Sequence, residues 1–143
     1  MNHNLKVSGS IEINASPSKV WDVLTNPELI KEYLFGTQTV TDWKVGSEII
    51  FQGEYQGQKY RDKGVIKENI LNKKLSYTYW SGFSGLEDKP ENYSLATYTL
   101  SSSDNTKTVF TWTHQGFPTE ANQQHTQSNI ESCLKQIKEI SER

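Results

Sequence analysis

From Leu5 to Asn14 apolar and polar residues alternate strictly. Leu5, Val7, Gly9, Ile11 and Ile13 fall on one face, and Lys6, Ser8, Ser10 and Glu12 on the other. A period of two predicts a half-buried strand. Ala15-Ser16-Pro17 ends it: Ser16 suits a helix N-cap, and Pro17 is preset for the first helical turn. Val20, Trp21 and Leu24 then share a helical stripe, and Asn26-Pro27-Glu28 opens a second short helix carrying Leu29, Ile30, Tyr33 and Leu34.

Strand patterns follow from Thr37 to His114. The expected strands run from Ile49 to Tyr55, Lys59 to Leu71, Leu75 to Trp80, Tyr93 to Ser101 and Thr108 to His114. Turns are expected at Val45-Gly46-Ser47, Gln56-Gly57, Asn72-Lys73-Lys74 and Ser103-Asp104-Asn105, with a longer loop from Ser81 to Asn92. Short strands at this spacing predict an antiparallel sheet. Pro118-Thr119-Glu120 opens a last helix reaching Ser141, with Thr119 as its cap. Ile130, Cys133, Leu134, Ile137 and Ile140 stripe its second half, whereas Ala121 to Asn129 is polar nearly all round. That polar half either leaves the sheet or faces a partly polar cavity.

Composition narrows the class. The chain has 143 residues, the size of one domain. Only 34% are hydrophobic, but seven Tyr and four Trp add large buriable surface, so a folded core is expected. Fifteen basic residues are scattered among seventeen acidic ones, which gives no footprint for nucleic acid. No apolar run approaches the ~18 residues of a membrane span, and no basic region followed by an apolar stretch marks a signal peptide. One cysteine makes no internal disulfide. These features lead to the expectation of a cytoplasmic protein without membrane insertion.

The element order, a strand, two small helices, five or six strands and a long helix, is that of the START/Bet v 1-like helix-grip fold. The residues resemble one branch of it. Ala15-Ser16-Pro17-Ser18-Lys19-Val20-Trp21-Asp22-Val23-Leu24-Thr25-Asn26-Pro27-Glu28 is similar to the opening motif of the AHSA1-like family of the SRPBCC superfamily. That family is named for the C-terminal domain of the activator of the Hsp90 ATPase. Asp42-Trp43-Lys44-Val45-Gly46-Ser47, Tyr60-Arg61-Asp62-Lys63-Gly64-Val65-Ile66, Leu75-Ser76-Tyr77-Thr78-Tyr79-Trp80 and Thr108 to Phe117 resemble its later landmarks. Tyr33-Leu34 stands where the family often carries tryptophan. The resemblance implies an α+β domain spanning 1–143, with a curved antiparallel sheet wrapped around the C-terminal helix and an apolar cavity between them.

Strand parity then selects inward sets: Phe51 and Tyr55; Tyr60, Asp62 and Ile66; Leu75, Tyr77 and Tyr79; Tyr98 and Leu100; Phe110, Trp112 and His114. Gln123, Thr126, Gln127 and Ile130 project from the helix toward the same side. The candidate ligand-binding residues are Tyr33, Phe51, Tyr60, Asp62, Ile66, Tyr77, Tyr79, Tyr98, Trp112, His114, Gln123, Thr126 and Ile130. Apolar walls with a few placed polar groups are typical of small-molecule pockets, although the same aromatics also serve to fill a small core.

His114, near Tyr60 and Asp62 in this register, is placed to exchange a proton with a ligand, or to sit satisfied at the core's rim. Asp62 otherwise pairs with Arg61 or Lys63. His3, His114 and His125 lack metal-ligand spacing, and Cys133 lies on the helix's apolar face, so neither a metal nor a cofactor is expected. The Trp80–Gly85 glycines suit a loop at the pocket mouth. The leading expectation is a non-enzymatic module for a small hydrophobic ligand, lipid-like or polyketide-like and aromatic. By analogy with the family's naming member, the alternative is a partner of an Hsp90-type chaperone. A third reading, a cyclase- or dehydratase-like enzyme, requires His114 and Asp62 to converge on one ligand atom.

Overall fold

A computed structural model describes residues 1–143, the Ser103 side chain excepted. The chain opens with β1 (Asn2–Ile13), then α1 (Pro17–Thr25) and α2 (Pro27–Tyr33). Six strands follow: β2 (Gln38–Val40), β3 (Glu48–Tyr55), β4 (Gln58–Ile70), β5 (Lys74–Tyr79), β6 (Ser94–Asp104) and β7 (Lys107–Phe117). The long α3 (Glu120–Glu142) closes the chain. All seven strands form one antiparallel sheet in the order β1-β7-β6-β5-β4-β3-β2. This is the expected helix-grip arrangement, extended by the short β2, which is too brief for a period-two signal.

The helix caps form as the side-chain chemistry dictates. Ser16 Oγ accepts from the Lys19 amide at 3.2 Å, with Pro17 at the first position of α1. Asn26 both ends α1 and begins α2, its Oδ1 accepting from the Glu28 amide at 3.1 Å. Thr119 Oγ1 accepts from the Asn122 amide at 3.2 Å to start α3. The β3–β4 hairpin turns at Gln56-Gly57, whose φ angles of 50° and 80° match the twist of a tight two-residue hairpin. The β6–β7 turn lies at Asn105–Thr106, one residue beyond its expected centre.

The core fills the space between the sheet's concave face and the helices. Ile130, Cys133, Leu134, Ile137 and Ile140 of α3 pack against Val7, Ile13, Phe110 and Trp112. Gly9 sits where α3 crosses β1. A Cβ there would lie 2.8 Å from Leu134 Cδ1, so the missing side chain lets the helix come close. Gly64 brings β4 and β5 together more tightly still, for its Cβ would overlap the Thr78 carbonyl oxygen at 1.6 Å. Beyond it the β4–β5 register shifts between Ile66 and Glu68, placing one extra residue in β4.

Tyr55 corrects the inward sets. Although it shares the parity of Phe51, it is 61% exposed. It lies beside the hairpin turn, where that face is covered instead by Tyr60, whose ring lies across Gly53.

Candidate functional site

A cavity of about 240 Å³ lies between the sheet and the polar half of α3. Phe51 of β3, Tyr60 and Asp62 of β4, Tyr77 and Tyr79 of β5, and Trp112 and His114 of β7 form its sheet wall. Thr126, Asn129, Ile130 and Cys133 of α3 face them, and Leu34, Phe35 and Thr37 close the side next to α2. The polar opening of α3 is explained in two parts: Thr126 and Asn129 border the cavity, whereas Asn122, Gln124, His125 and Ser128 are exposed to solvent.

The sheet wall is a stack of aromatic rings. Phe51 meets Tyr77 at 5.5 Å and Tyr79 at 5.8 Å between centroids. Tyr79 in turn meets His114 edge-on at 5.9 Å. Such tilted and edge-on contacts are the preferred aromatic geometries. Tyr98 lies behind this wall, 5.0 Å from Trp112 and hydroxyl to hydroxyl with Tyr77 at 2.8 Å. Burial pushes the Tyr77 phenol up to about 12, so it stays neutral.

The polar groups are few. Asp62 is only 6% exposed. The Tyr79 hydroxyl donates to its Oδ2 at 2.5 Å, and its Oδ1 has no partner. Burial raises the Asp62 pKa, while the Tyr79 and Ser81 hydroxyls pull it back. The expected pairing with Arg61 or Lys63 does not form, because strand alternation sends both to the other face. Lys63 meets Asp88 there at 2.5 Å, and Arg61 lies 3.9 Å from Glu48. Burial drives His114 down to about 4, leaving a neutral imidazole at physiological pH. Trp112 Nε1 is buried without an acceptor. Cys133 is a structural thiol, its Sγ donating to the Tyr33 carbonyl at 3.2 Å and its pKa raised by burial to about 11. Among the described residues no three His, Cys, Asp or Glu side chains converge as metal ligands would.

Of the sequence-derived candidates, Phe51, Tyr60, Asp62, Tyr77, Tyr79, Trp112, His114, Thr126 and Ile130 line the cavity. Four do not. Tyr33 and Ile66 are completely packed in the core, and Tyr98 supports the wall from behind. Gln123 is spent on structure, its Nε2 donating to the Lys6 carbonyl at 3.0 Å. Sequence reasoning missed Phe35, Thr37 and Cys133 as lining residues, and it did not single out Leu34 and Asn129 although both lie in segments expected near the cavity. Asn129, one residue before the apolar stripe, was the recoverable signal. Phe35 was not, because its position depends on a left-handed backbone (φ 56°) followed by Gly36 at φ 84°.

The mouth is framed by that turn and by the loop after β5. Thr37 Oγ1 and the Tyr60 hydroxyl meet at 2.5 Å, and Phe83 rests 6.0 Å from the Tyr60 ring. The loop is tethered by Trp80 Nε1 donating to the Leu86 carbonyl at 3.2 Å and by the Tyr93 hydroxyl donating to Asp88 at 2.5 Å.

Residues 14–142 match the model of a family described as activator of Hsp90 ATPase homolog 1-like protein, AHSA1. The chain belongs to that family. ChR145 from Cytophaga hutchinsonii, known from a solution structure, is 39% identical. It aligns over 97% of this chain and 94% of its own, with a TM-score of 0.81. Two more distant structures share the fold. Protein CV1439 from Chromobacterium violaceum is 19% identical over 98% of this chain and 99% of its own, at a TM-score of 0.79. The Aha1 dimer from Colwellia psychrerythraea is 20% identical over 96% of each chain, at 0.73. A search of curated proteins finds no match. No helix among the described residues of this AHSA1-family chain is long and apolar enough to cross a membrane.

Proposed function

We propose that this AHSA1-family protein is a binding module for a small, largely apolar molecule seated between the sheet and α3. The observation that carries this reading is the aromatic-walled cavity of about 240 Å³, which the polar half of α3 borders without filling. Ligand pockets commonly span roughly 300–1,000 Å³, so this one suits a compact molecule of one or two rings better than a long-chain lipid. Nine of the candidate binding residues contribute to it, and they act as its apolar walls and its few polar anchors.

The test is an amide NMR titration of labelled protein with one- and two-ring aromatics, polyketide-like compounds and lipids. Shifts should concentrate on Tyr77, Tyr79, Trp112, His114 and Thr126. Thr126→Trp, which fills the cavity from the helix side without removing core, should keep the dispersed spectrum and abolish the shifts. Equal shifts in both proteins would place the ligand elsewhere and sink the reading.

A second reading follows from family membership, that of a partner to an Hsp90-type chaperone. Under the binding-module reading, adding the protein leaves the ATPase rate of a purified Hsp90-type chaperone unchanged. A rise in that rate would favour the chaperone partner. The enzyme reading has narrower support: Asp62 and His114 do line one cavity, but Tyr79 contacts both, hydrogen-bonding the first and stacking edge-on against the second.

A further inference from the structure

We infer that the cavity selects a monocation: an aromatic or compact apolar molecule carrying a protonated amine, received by the Asp62 carboxylate. This deepens the binding reading and rests on it. Asp62 is more than nine-tenths buried, borders the cavity and leaves Oδ1 without a hydrogen-bond partner. A buried unpaired carboxylate oxygen is costly, and protein side chains ordinarily satisfy it. Here the Tyr79 hydroxyl donates to Oδ2, and the Ser81 hydroxyl, although close enough to influence the carboxyl, makes no hydrogen bond to Oδ1. The terminal torsion of an aspartate is soft, so either oxygen can turn toward an incoming donor.

The charge of the lining sets the sign of that donor. Among the described lining residues there is no lysine or arginine, and the basic neighbours Arg61 and Lys63 are engaged on the opposite face of β4. Asp62 thus has no cationic partner among the described lining residues and is set among the rings of Phe51, Tyr77, Tyr79 and Trp112. Aromatic faces attract cations through their quadrupole, most strongly where water is excluded. An ammonium group satisfies both features together: N–H donation to the carboxylate as a charge-assisted bond, and positive charge against the rings. A carboxylate ligand such as a fatty acid meets a like charge with no cation to offset it. A neutral alcohol gains the hydrogen bond and forgoes the charge.

The experiment compares matched probes differing only in the polar group: 2-phenylethylamine, 2-phenylethanol and phenylacetate, with the corresponding naphthyl series for size. Affinities are read by NMR titration at neutral pH on the wild type and on Asp62→Asn. The amine should bind about tenfold or more tightly than the alcohol, and the carboxylate weakest. Asp62→Asn should bring the amine down to the affinity of the alcohol while leaving the alcohol little changed. If the alcohol or the acid binds the wild type as well as the amine does, or if Asp62→Asn preserves the amine's advantage, the cation inference is overturned and the cavity reading stands. If none of the six probes shifts any cavity resonance, both fall together. The spectrum of Asp62→Asn reports directly on its folding, and Tyr79→Phe gives a second variant. That change frees Oδ2 as well and should preserve the preference for the amine.

Discussion

His114 shows how burial of a single side chain writes itself into stability. An unfolded imidazole titrates near 6.5, whereas burial holds the folded one at about 4. The native state therefore binds this proton more weakly than the unfolded chain does. The neutral ring costs nothing extra above pH 6.5, and stability is lost progressively as pH falls from there toward about 4. A shift of this size corresponds to about 3 kcal/mol. Part of the residue remains exposed, and screening brings the expected loss to about 2 kcal/mol. Urea denaturation at neutral pH and at about pH 4.5 checks it. Replacing His114 with Gln should remove roughly that much of the acid-induced loss, while parallel behaviour of the two proteins would show that the ring protonates freely in the fold. The same burial keeps His114 neutral beside the cavity, so it offers Asp62 no positive charge at physiological pH.

At the scale of elements, two glycines set the spacing that makes the cavity possible, and they do so against different obstacles. At Gly9 an added methyl would meet the end of the Leu134 side chain, which can turn aside. At Gly64 it would meet the Thr78 carbonyl, which is held in the backbone of β5. Gly64→Ala should therefore cost upward of about 3 kcal/mol and Gly9→Ala nearer 1 kcal/mol, both by urea denaturation. Similar costs at the two sites would mean that β5 yields as readily as a leucine methyl. The Gly64 position matters for the site as well. It lies two residues from Asp62 on the strand whose close approach to β5 brings Tyr79 within hydrogen-bond reach of the carboxylate. The turn after α2 adds the opposite kind of feature, a non-glycine residue, Phe35, held at φ 56° and 69% exposed at the rim. Backbone strain of this kind persists where surrounding structure or function holds it.

For the whole molecule, period and caps were enough to place the strands from β3 onward, β1 and all three helices within a few residues, because each is a local signal repeated several times. The cavity was legible to the extent that strand parity governs it: Phe51, Asp62, Tyr79 and Trp112 follow directly from alternation. Parity failed at Tyr55, where the hairpin tip outruns its cover, and it could not separate Tyr98 from Tyr77, since two residues on one face can lie in front of or behind a cavity. The Phe35 and Thr37 part of the wall was invisible because it depends on left-handed turns and on where α2 docks, neither of which is periodic. The connectivity has a further consequence. β1, at the start of the chain, pairs along β7 near its end, and α3 packs across β1. First and last elements thus close the same layer, and neither half of the chain has a core without the other. The protein should therefore unfold in one cooperative transition, with tryptophan fluorescence and far-ultraviolet circular dichroism tracing the same curve. A ligand that fills the cavity at about a hundred times its Kd adds about 2.7 kcal/mol to the native state, which for a chain of this size raises Tm by roughly 8 °C. In the Thr126→Trp variant the same ligand concentration should leave Tm unmoved. Two separated transitions would show that the β2–β4 edge of the sheet and the β1–β7–α3 layer are independent units. Coincident curves with no ligand-induced rise in Tm would instead mean a single domain whose cavity stays empty.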